Sequence, residues 1–503
     1  MCGAVGGVVG MAVADLTAWL IAPSGAPVPA VGTMIINLLP AGLVNWGKET
    51  LGTADKPVLL VLIVLGVLAL CALAGRLELR RPYGGGLVFA GVAAVGLIAA
   101  LAGGQTSVRA VVPTVLGLLC GYVVLRALIA RLQRLRTVAA TAEPDQVAVA
   151  MARRTFLIWT GVAALAATAG AVAGRALVAT AGAVEEARSQ LRLPPATGSA
   201  PIPAEAELGI DGLAPYLTPN ADFYRIDTAL QVPTIAVEDW SLTVTGQVDR
   251  EMTISFADLI ARPMVEHVAT LACVSNEVGG DLVGNAVWLG YPIRDLLAEA
   301  GIRPGMDMVL STSDDGWTAG TPLAALTDPD RMALLAVGMN GEPLPLEHGY
   351  PVRMVVPGLY GYVSATKWVR ELKVTTFAED RGYWTPLGWS ALGPIKTASR
   401  IDVPRKRSLD AGQVVVAGVA WDQHTGIAKV EVAIDGDWRE AELAQVTGPD
   451  TWRQWVYRWD ALPGQHTVAV RATNADGQVQ TEDQAPPGPD GATGWHTITV
   501  DVG

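Results

Sequence analysis

Long apolar runs fill the first third of the chain, and shorter alternating runs follow them. A helix needs about 17–25 apolar residues to cross the hydrocarbon layer of a bilayer. This sequence has too many runs of that length for them to be the buried helices of a soluble core. We therefore predict an N-terminal α-helical membrane region over residues 1–175, with five spans: Gly3–Ala22, Val58–Ala74, Gly85–Gly103, Val108–Ile129 and Thr155–Gly174.

Basic residues flank these runs unevenly. With the N-terminus in the cytoplasm, nine Arg residues flank the spans on the cytoplasmic side and four Lys or Arg on the other. Cytoplasmic flanks hold the excess of Lys and Arg, so we predict a multi-pass protein of the bacterial cytoplasmic membrane whose later domains are extracytoplasmic. Arg153 and Arg154, followed by Thr155–Leu157, resemble a twin-arginine export signal. Ordinary basic flanking of a span explains them equally well.

The pattern changes after the last predicted span. Residues 176–207 are rich in Ala, Pro, Gly and Glu without a sustained period, which predicts a semi-extended tether. Residues 208–400 alternate short β-rich runs with short helical runs, which predicts a mixed α+β domain. Residues 401–503 alternate strands and turns, which predicts an immunoglobulin-like β-sandwich with most of its Trp residues in the core.

Composition and charge support two different environments. The chain is 51% hydrophobic and 17% charged, which is too apolar for a wholly soluble protein. Up to Thr180 there are 13 Lys and Arg against 6 Asp and Glu, whereas the remainder has 23 against 42. This acidic remainder excludes nucleic acid as a partner, because binding phosphates needs a surplus of Lys and Arg.

Histidine placement limits the redox chemistry of the predicted spans. No His precedes His267, and no C-x-x-C-H motif occurs. The spans therefore lack the paired imidazoles that would hold a membrane haem. We expect no haem in this chain and a separate electron-transfer partner, either a cytochrome or a quinone system.

One cysteine stands apart from the other three. Cys2, Cys71 and Cys120 lie in or beside predicted spans, whereas Cys273 lies in the exported part. A Cys in an apolar run is usually a buried, unreactive residue. A nucleophilic Cys with His267 or His348 as its base is a second interpretation. The spacing does not decide between them.

Five motifs follow one another around Cys273: Asn220–Asp227, Cys273–Trp288, His348–Gly358, Ser364–Trp368 and Ser399–Asp402. In this order they resemble the molybdenum-cofactor domain of the sulfite oxidase family, and the resemblance covers about Ala214 to Arg400. The predicted sandwich resembles the dimerisation domain that follows in that family, which allows a homodimer.

This resemblance implies a Mo-molybdopterin cofactor and assigns roles to residues. Cys273 matches the family's metal ligand, a soft thiolate that binds molybdenum beside the two sulfurs of one molybdopterin. Cys273, Arg225 and Asp227 are the catalytic candidates. Basic and polar groups should hold the anionic pterin. The cofactor-binding candidates are Asn220, Tyr224, Arg225, Cys273, Thr312, His348, Arg353, Ser364 and Lys367.

The implied activity is two-electron oxygen-atom transfer to a small oxo-substrate such as sulfite or a related sulfur-oxo compound. Arg225 would anchor the anionic substrate. Animal and plant members have His where this chain has Asp227, and a carboxylate there would repel sulfite. A reductase of methionine sulfoxide or of other S- or N-oxides is therefore an alternative, although the sandwich favours the oxidase branch. From another functional class, a metal-free membrane-tethered binding protein is a further alternative.

Overall fold

The computed structural model divides into two compact units. The helical unit comprises Met1–Ala183 with Thr228–Val232, and the sheet unit comprises Val184–Asp227 with Pro233–Gly503. The residues that the structure describes, apart from single positions between residues 43 and 161, are 2–21, 26–39, 55–102, 111–139, 182–198, 201–229 and 231–503.

Five described helices form the helical unit. They are α1 (Cys2–Ile21), α2 (Pro27–Leu38), α3 (Asp55–Arg80), α4 (Gly84–Ala102) and α5 (Val112–Ala139). Among the described residues, three segments are long and apolar enough to cross a membrane: Lys56–Arg80, Gly84–Leu101 and Val112–Arg134. These match the second, third and fourth predicted spans. The protein therefore has apolar helices suited to membrane association.

The other predicted spans have different outcomes. The first predicted span forms α1, whose apolar segment Cys2–Ala18 is shorter than the three candidate segments. Helix α2 was not predicted, because its apolar run of 12 residues is shorter than a span needs. The fifth predicted span, Thr155–Gly174, and the twin-arginine motif lie outside the described residues except for single positions.

Small residues and one carboxylate fix the packing of these helices. A Cβ atom at Gly117 of α5 would lie 2.7 Å from the Cβ of Ala14 in α1, so only glycine permits this close helix crossing. Glu78, at the end of α3, accepts hydrogen bonds from the backbone N–H of Gly85 at 2.8 Å and from Arg126 at 2.5 Å. This carboxylate joins the end of α3 to the start of α4 and to the middle of α5.

Two sheets form the first part of the sheet unit. One has the strand order β2-β1-β10-β5-β6, and the other has β3-β4-β7-β8 with β9 paired to β7. The strands are β1 (Ser241–Gly246), β2 (Met252–Ser255), β3 (Val265–Ala272), β4 (Val283–Pro292), β5 (Met308–Ser313), β6 (Thr318–Pro322), β7 (Leu334–Met339), β8 (Glu342–Pro343), β9 (Arg353–Val355) and β10 (Val369–Thr375). The helices between them are α6 (Phe256–Ile260), α7 (Ile293–Ala300), α8 (Leu323–Thr327) and α9 (Gly361–Ser364).

The alternation predicted for this part is present in the described structure. Helices α6, α7 and α8 alternate with strands such as β1, β5, β9 and β10, as the short helical and β-rich runs of residues 208–400 predict. The hairpin β3–β4 was not predicted. The second half of β3 and the first half of β4 are buried at almost every position. A strand covered on both faces shows no alternation of apolar and polar residues.

The predicted tether packs against the sheet unit over much of its length. Val184 and Leu191 join the core around Trp288, and the N–H of Thr197 donates to the carbonyl of Met264 at 2.7 Å. The expectation of a semi-extended tether is therefore wrong for the described residues 184–198. Residues 182–190 form a helix, whose single apolar stretch is too short for a period to be recognised in the sequence.

The C-terminal region is β-rich. Its two sheets have the orders β11-β13-β17-β16 and β12-β19-β18-β14-β15, and residues from both sheets share one hydrophobic core. The strands are β11 (Ala398–Val403), β12 (Ser408–Leu409), β13 (Gly412–Trp421), β14 (Ile427–Ile434), β15 (Asp437–Glu440), β16 (Glu442–Leu443), β17 (Arg453–Ala461), β18 (Gly464–Asn474) and β19 (His496–Val502).

The tryptophans of this region are mainly core residues, as predicted. Trp421, Trp452, Trp455 and Trp459 are buried. Trp438 is half-buried, and the guanidinium of Arg471 lies 4.1 Å from its ring centroid.

Candidate active site

Cys273 follows β3 directly, at the start of the turn to β4. Its N–H donates to the carbonyl of Leu282 at 2.9 Å, and its carbonyl accepts from the N–H of Asn276 at 3.1 Å. The N–H of Ser275 lies 3.4 Å from the Cys273 sulfur. The side chain is 8% exposed. The turn therefore holds the sulfur in a fixed position at the end of a sheet.

Tyr224 and the N-terminus of α9 lie close to this turn. A Cβ atom at Gly361 would lie 3.7 Å from the carbonyl oxygen of Ala272 and 3.9 Å from the Tyr224 hydroxyl. The Tyr224 ring stacks on Phe223 with 5.3 Å between centroids. Burial raises the pKa of Tyr224, and negative charge on Cys273 raises it further. The phenol therefore stays protonated and is a hydrogen-bond donor beside the thiol.

Three cations surround His348. Burial lowers the pKa of its imidazole to about 4, and the charges of Arg353, Lys367 and Arg225 act in the same direction. The ring is therefore neutral at neutral pH. Its Nε2 lies 3.1 Å from the carbonyl oxygen of Asn220. This acceptor assigns the proton to Nε2, which leaves Nδ1 as an acceptor.

Arg353 is a buried cation whose partners are carbonyl oxygens. It is 5% exposed, and its guanidinium donates to His348 at 3.0 Å, Met354 at 3.4 Å and Ala365 at 3.5 Å. None of the ion pairs found within the described segments includes Arg353. Burial lowers its pKa to about 10, so it stays charged at neutral pH. A buried charge without a counter-ion is costly, so this position fits an anionic ligand.

Asp227 joins two of the cations. Its carboxylate accepts from the Lys367 ammonium at 2.7 Å and from the Arg225 guanidinium at 2.9 Å. Burial lowers the pKa of Lys367 to about 8, and Asp227 opposes that shift. The repulsion of anions expected from Asp227 is therefore offset, because Arg225, Lys367 and Arg353 outnumber this carboxylate.

Glycine at position 349 lets the chain bring these groups together. Gly349 has φ +110°, a region that favours glycine. A Cβ atom there would lie 3.0 Å from the Cβ of Arg353 and 3.1 Å from that of Lys367. A larger residue at this position would push both cations away.

Two further predicted residues lie beside the cluster, with their side chains bonded to the protein. Asn220 donates to Glu342 at 2.5 Å and accepts from Asn340 at 2.8 Å. The Ser364 hydroxyl donates to the carbonyls of Leu359 at 3.1 Å and Tyr360 at 2.9 Å. Ser364 thus fixes the loop that leads into α9.

The structure does not bring Thr312 to the cluster. Its hydroxyl donates to Glu371 at 3.4 Å across the β5–β10 pair. The neighbouring Ser311 hydroxyl instead lies 2.7 Å from the hydroxyl of Thr366. Successive side chains of a strand point to opposite faces, so Thr312 lies on the face away from the loop that holds Lys367.

A contact between the C-terminal region and β3 was not predicted. The N–H of Thr270 donates to the carbonyl of Asp450 at 2.9 Å, and its carbonyl accepts from Gln423 at 3.1 Å. The Thr270 hydroxyl accepts from the N–H of Trp452 at 2.8 Å and donates to Asn285 at 2.9 Å. We call these contacts of Thr270 with the C-terminal region the clamp. No local motif predicts it, because Thr270 and Trp452 are 182 residues apart.

The clamp also engages His267. The His267 Nε2 lies 2.7 Å from a carboxylate oxygen of Asp450, whose side chain is 5% exposed. His267 thus contacts the C-terminal region, which does not support its sequence-based role as a base for Cys273. His267 and Thr270 precede Cys273 by six and three residues. Their contacts therefore fix the part of β3 that leads to the thiol.

Substituting Thr270 with Val tests the clamp. The variant keeps the shape of the side chain but leaves the buried N–H of Trp452 and Oδ1 of Asn285 without this partner, at about 1–3 kcal/mol each. We expect a lower melting temperature and lower turnover, measured by scanning fluorimetry and by enzyme assay. The control is Thr499→Val, at an exposed position of β19. Equal, small effects of both substitutions would contradict the role of the clamp.

Substituting Asp227 with Ala tests the buried ion pair. The Asp227 and Lys367 side chains are 5% and 10% exposed, and removing one partner of a buried pair costs about 3–5 kcal/mol. We expect the melting temperature to fall by several degrees in protein from a host without molybdopterin, so that cofactor loss does not contribute. The control is Glu442→Ala, which breaks the exposed pair with Arg458 at a cost below about 1 kcal/mol. Similar shifts for both variants would refute the pair's importance.

The donor set fits the cofactor that the resemblance implies. Cys273 offers a soft sulfur ligand, Arg353 and Lys367 offer positive charge for an anion, and His348 and Tyr224 are neutral polar groups. Arg353 is the main evidence for this fit. Its guanidinium bonds to carbonyl oxygens, and no carboxylate in the described part of the chain pairs with its charge. These residues would hold Mo-molybdopterin.

Comparison with known proteins agrees with this site. Residues 229–384 match the oxidoreductase molybdopterin binding domain. Mitochondrial sulfite oxidase of Rattus norvegicus is 30% identical over 274 residues, which are 45% of this chain and 49% of that protein. The uncharacterized oxidoreductase YuiH of Bacillus subtilis (strain 168) is 36% identical over 154 residues, 31% of this chain and 74% of that protein. The chain thus spans about half the length of the mammalian relative.

A solved structure shares the fold. The sulfane dehydrogenase SoxCD from Paracoccus pantotrophus aligns with a TM-score of 0.50 and 23% identity, over 63% of this chain and 89% of that chain. The domain match and the bacterial relative show that this chain belongs to the sulfite oxidase family of molybdopterin-dependent oxidoreductases, whose cofactor is Mo-molybdopterin.

Proposed function

We propose that the protein is a membrane-anchored oxidoreductase that oxidises sulfite or a related sulfur-oxo compound on the extracytoplasmic side of the bacterial cytoplasmic membrane. The observation that supports this most is the buried, positively charged site around Arg353, close to Cys273 and Tyr224. When bound there, Mo-molybdopterin supplies two-electron oxygen-atom transfer. A site with surplus positive charge is suited to both an anionic cofactor and an anionic substrate.

Each residue of the site has a proposed task. Cys273 binds the metal, and Arg353, Lys367 and His348 bind the pterin and its phosphate. Arg225 is 40% exposed at its side chain, so it is accessible to an incoming anion and anchors the substrate. Asp227 positions Arg225 and Lys367 by accepting from both. Tyr224, Asn220 and Ser364 line or shape the site, whereas Thr312 has no role in this proposal.

The proposed architecture extends the two units into domains. Residues 1–175 form an anchor of five spans in lipid, residues 208–400 hold the cofactor, and residues 401–503 form an immunoglobulin-like sandwich through which a homodimer can form. Three long apolar helices and two sheets around one core support this arrangement. Electrons leave to a separate partner, a cytochrome or a quinone.

Two assays on the detergent-solubilised full chain test the proposal. We expect about one molybdenum per chain, and turnover with sulfite and ferricyanide but not with methionine sulfoxide and reduced viologen. Turnover only in the second assay would assign the reductase activity instead. Protein without molybdenum, made in a host that supplies the cofactor, would favour the metal-free binding protein.

A further inference from the structure

The helical unit contains a cavity of about 320 Å³. All five described helices contribute to its wall, which is almost entirely apolar. Pockets for small molecules have volumes of about 300–1,000 Å³. The cavity is therefore large enough for a single planar ring and the beginning of an attached chain.

Glycines create part of this space. Gly66 of α3 lies in the wall, and no other atom lies within 4 Å of the position that its Cβ would occupy. Gly96 of α4 also lies in the wall, where a Cβ would come within 3.1 Å of the Thr114 methyl group. A side chain at Gly66 would therefore enter open space rather than a neighbouring helix.

Two polar side chains stand in this apolar wall, Asp15 of α1 and Thr114 of α5. Thr114 is 6% exposed, and its hydroxyl has no hydrogen-bond partner in the described part of the chain. Thr114 lies in the first turn of α5, which begins at Val112, so no helical carbonyl four residues earlier is available to its hydroxyl. A buried hydroxyl without a partner is unfavourable, so a ligand with an acceptor would satisfy it.

We propose that this cavity binds the headgroup of a lipid-soluble quinone. A quinone ring is flat and largely apolar, and its carbonyl oxygens accept hydrogen bonds of the kind that Thr114 can donate. The Asp15 carboxyl can exchange protons with the ligand. The sequence places no His before His267, so haem with paired imidazole ligands is not an alternative in these helices.

The redox role of this site rests on the proposed function, whereas binding itself does not. Sulfite and water give sulfate, two protons and two electrons. The quinone takes up the two protons and two electrons and becomes the quinol. The overall reaction is therefore balanced with no further oxidant.

Calorimetric titration of the solubilised full chain with decylubiquinone tests the site. We expect one quinone per chain and at least tenfold weaker binding by Gly66→Leu, whose side chain fills the cavity. The matched control is Gly91→Leu, because Gly91 of α4 also has no atom near its Cβ position but lies outside the cavity wall. We expect Gly91→Leu to bind as the unaltered protein does.

Two further measurements keep the test decisive if Gly66→Leu fails to fold. Thr114→Val should weaken quinone binding about three- to tenfold, the value of one hydrogen bond, whereas Thr114→Ser should retain it. Decylbenzene, which lacks the carbonyl groups, should bind at least tenfold more weakly than decylubiquinone. Equal binding of the two compounds would identify an acyl-chain cavity and overturn the proposal, as would unchanged quinone binding by Thr114→Val.

The ferricyanide assay separates this proposal from the proposed function. Gly66→Leu should keep sulfite–ferricyanide turnover but lose turnover with decylubiquinone. If the unaltered protein binds quinone but shows no sulfite–ferricyanide turnover, the sulfite oxidase activity is refuted and the quinone site is supported. Ferricyanide turnover without any quinone binding would refute the cavity alone.

Discussion

Replacing Arg353 with Met should remove most of the molybdenum from the purified protein. Arg353 is 5% exposed, and the structure bonds it to carbonyl oxygens alone within its described residues. Its charge is therefore available to an anionic group of the cofactor. The loss of one hydrogen bond to a charged group costs about 1.5–3 kcal/mol, which corresponds to about 10- to 150-fold in affinity. Elemental analysis of molybdenum per chain measures this loss.

Arg453 provides a matched control for this substitution. It is a half-buried arginine of β17 that donates to the carbonyls of Ala444 at 2.7 Å and Ile427 at 2.9 Å. Arg453→Met should lower thermal stability without changing the molybdenum content. Arg353→Lys should recover only part of the content, because Lys restores the charge but not the planar set of donors. A full complement of molybdenum in Arg353→Met would disprove the role of this guanidinium.

Replacing Cys273 with Ser should abolish turnover while the protein keeps much of its molybdenum. The thiolate is a soft ligand and the hydroxyl is not, so the reactivity of the metal changes. Substitutions of outer-shell partners alone cost about 10- to 100-fold, so we expect the loss of a ligand to cost more than about 100-fold. Arg353, Lys367 and His348 remain in place to hold the pterin. Steady-state turnover normalised to molybdenum content measures the effect.

Cys120→Ser controls for the loss of a thiol as such. Cys120 lies in α5 of the helical unit and is half-buried. This variant should retain turnover and molybdenum. Turnover of Cys273→Ser equal to that of Cys120→Ser would show that the Cys273 sulfur takes no part in the reaction.

Apolar length and turn chemistry predicted much of the fold. The segments that became α3, α4 and α5 were identified because their apolar runs are long. Helix α2 is too short for that criterion, and β3 and β4 lack alternation because they are buried on both faces. The packed segment 184–198 was missed because its apolar residues are few.

Motif order named the candidate residues of the site but not their electrostatics. The structure brings His348, Arg353 and Lys367 close to Arg225, and their binding of the cofactor stays a prediction. Asp227 was expected to repel anions because its pairing with Lys367, 140 residues away in sequence, could not be recognised from the sequence. The contacts of Thr270 with the C-terminal region could not be predicted for the same reason, since only the folded chain brings that region to β3.

X-ray absorption at the molybdenum edge tests most directly whether Cys273 binds the metal. The spectra of the unaltered protein and of Cys273→Ser, each loaded with the cofactor, give the number of sulfur neighbours of molybdenum. We predict one sulfur neighbour fewer in the variant. The same number in both proteins would contradict the assignment of Cys273 as a ligand.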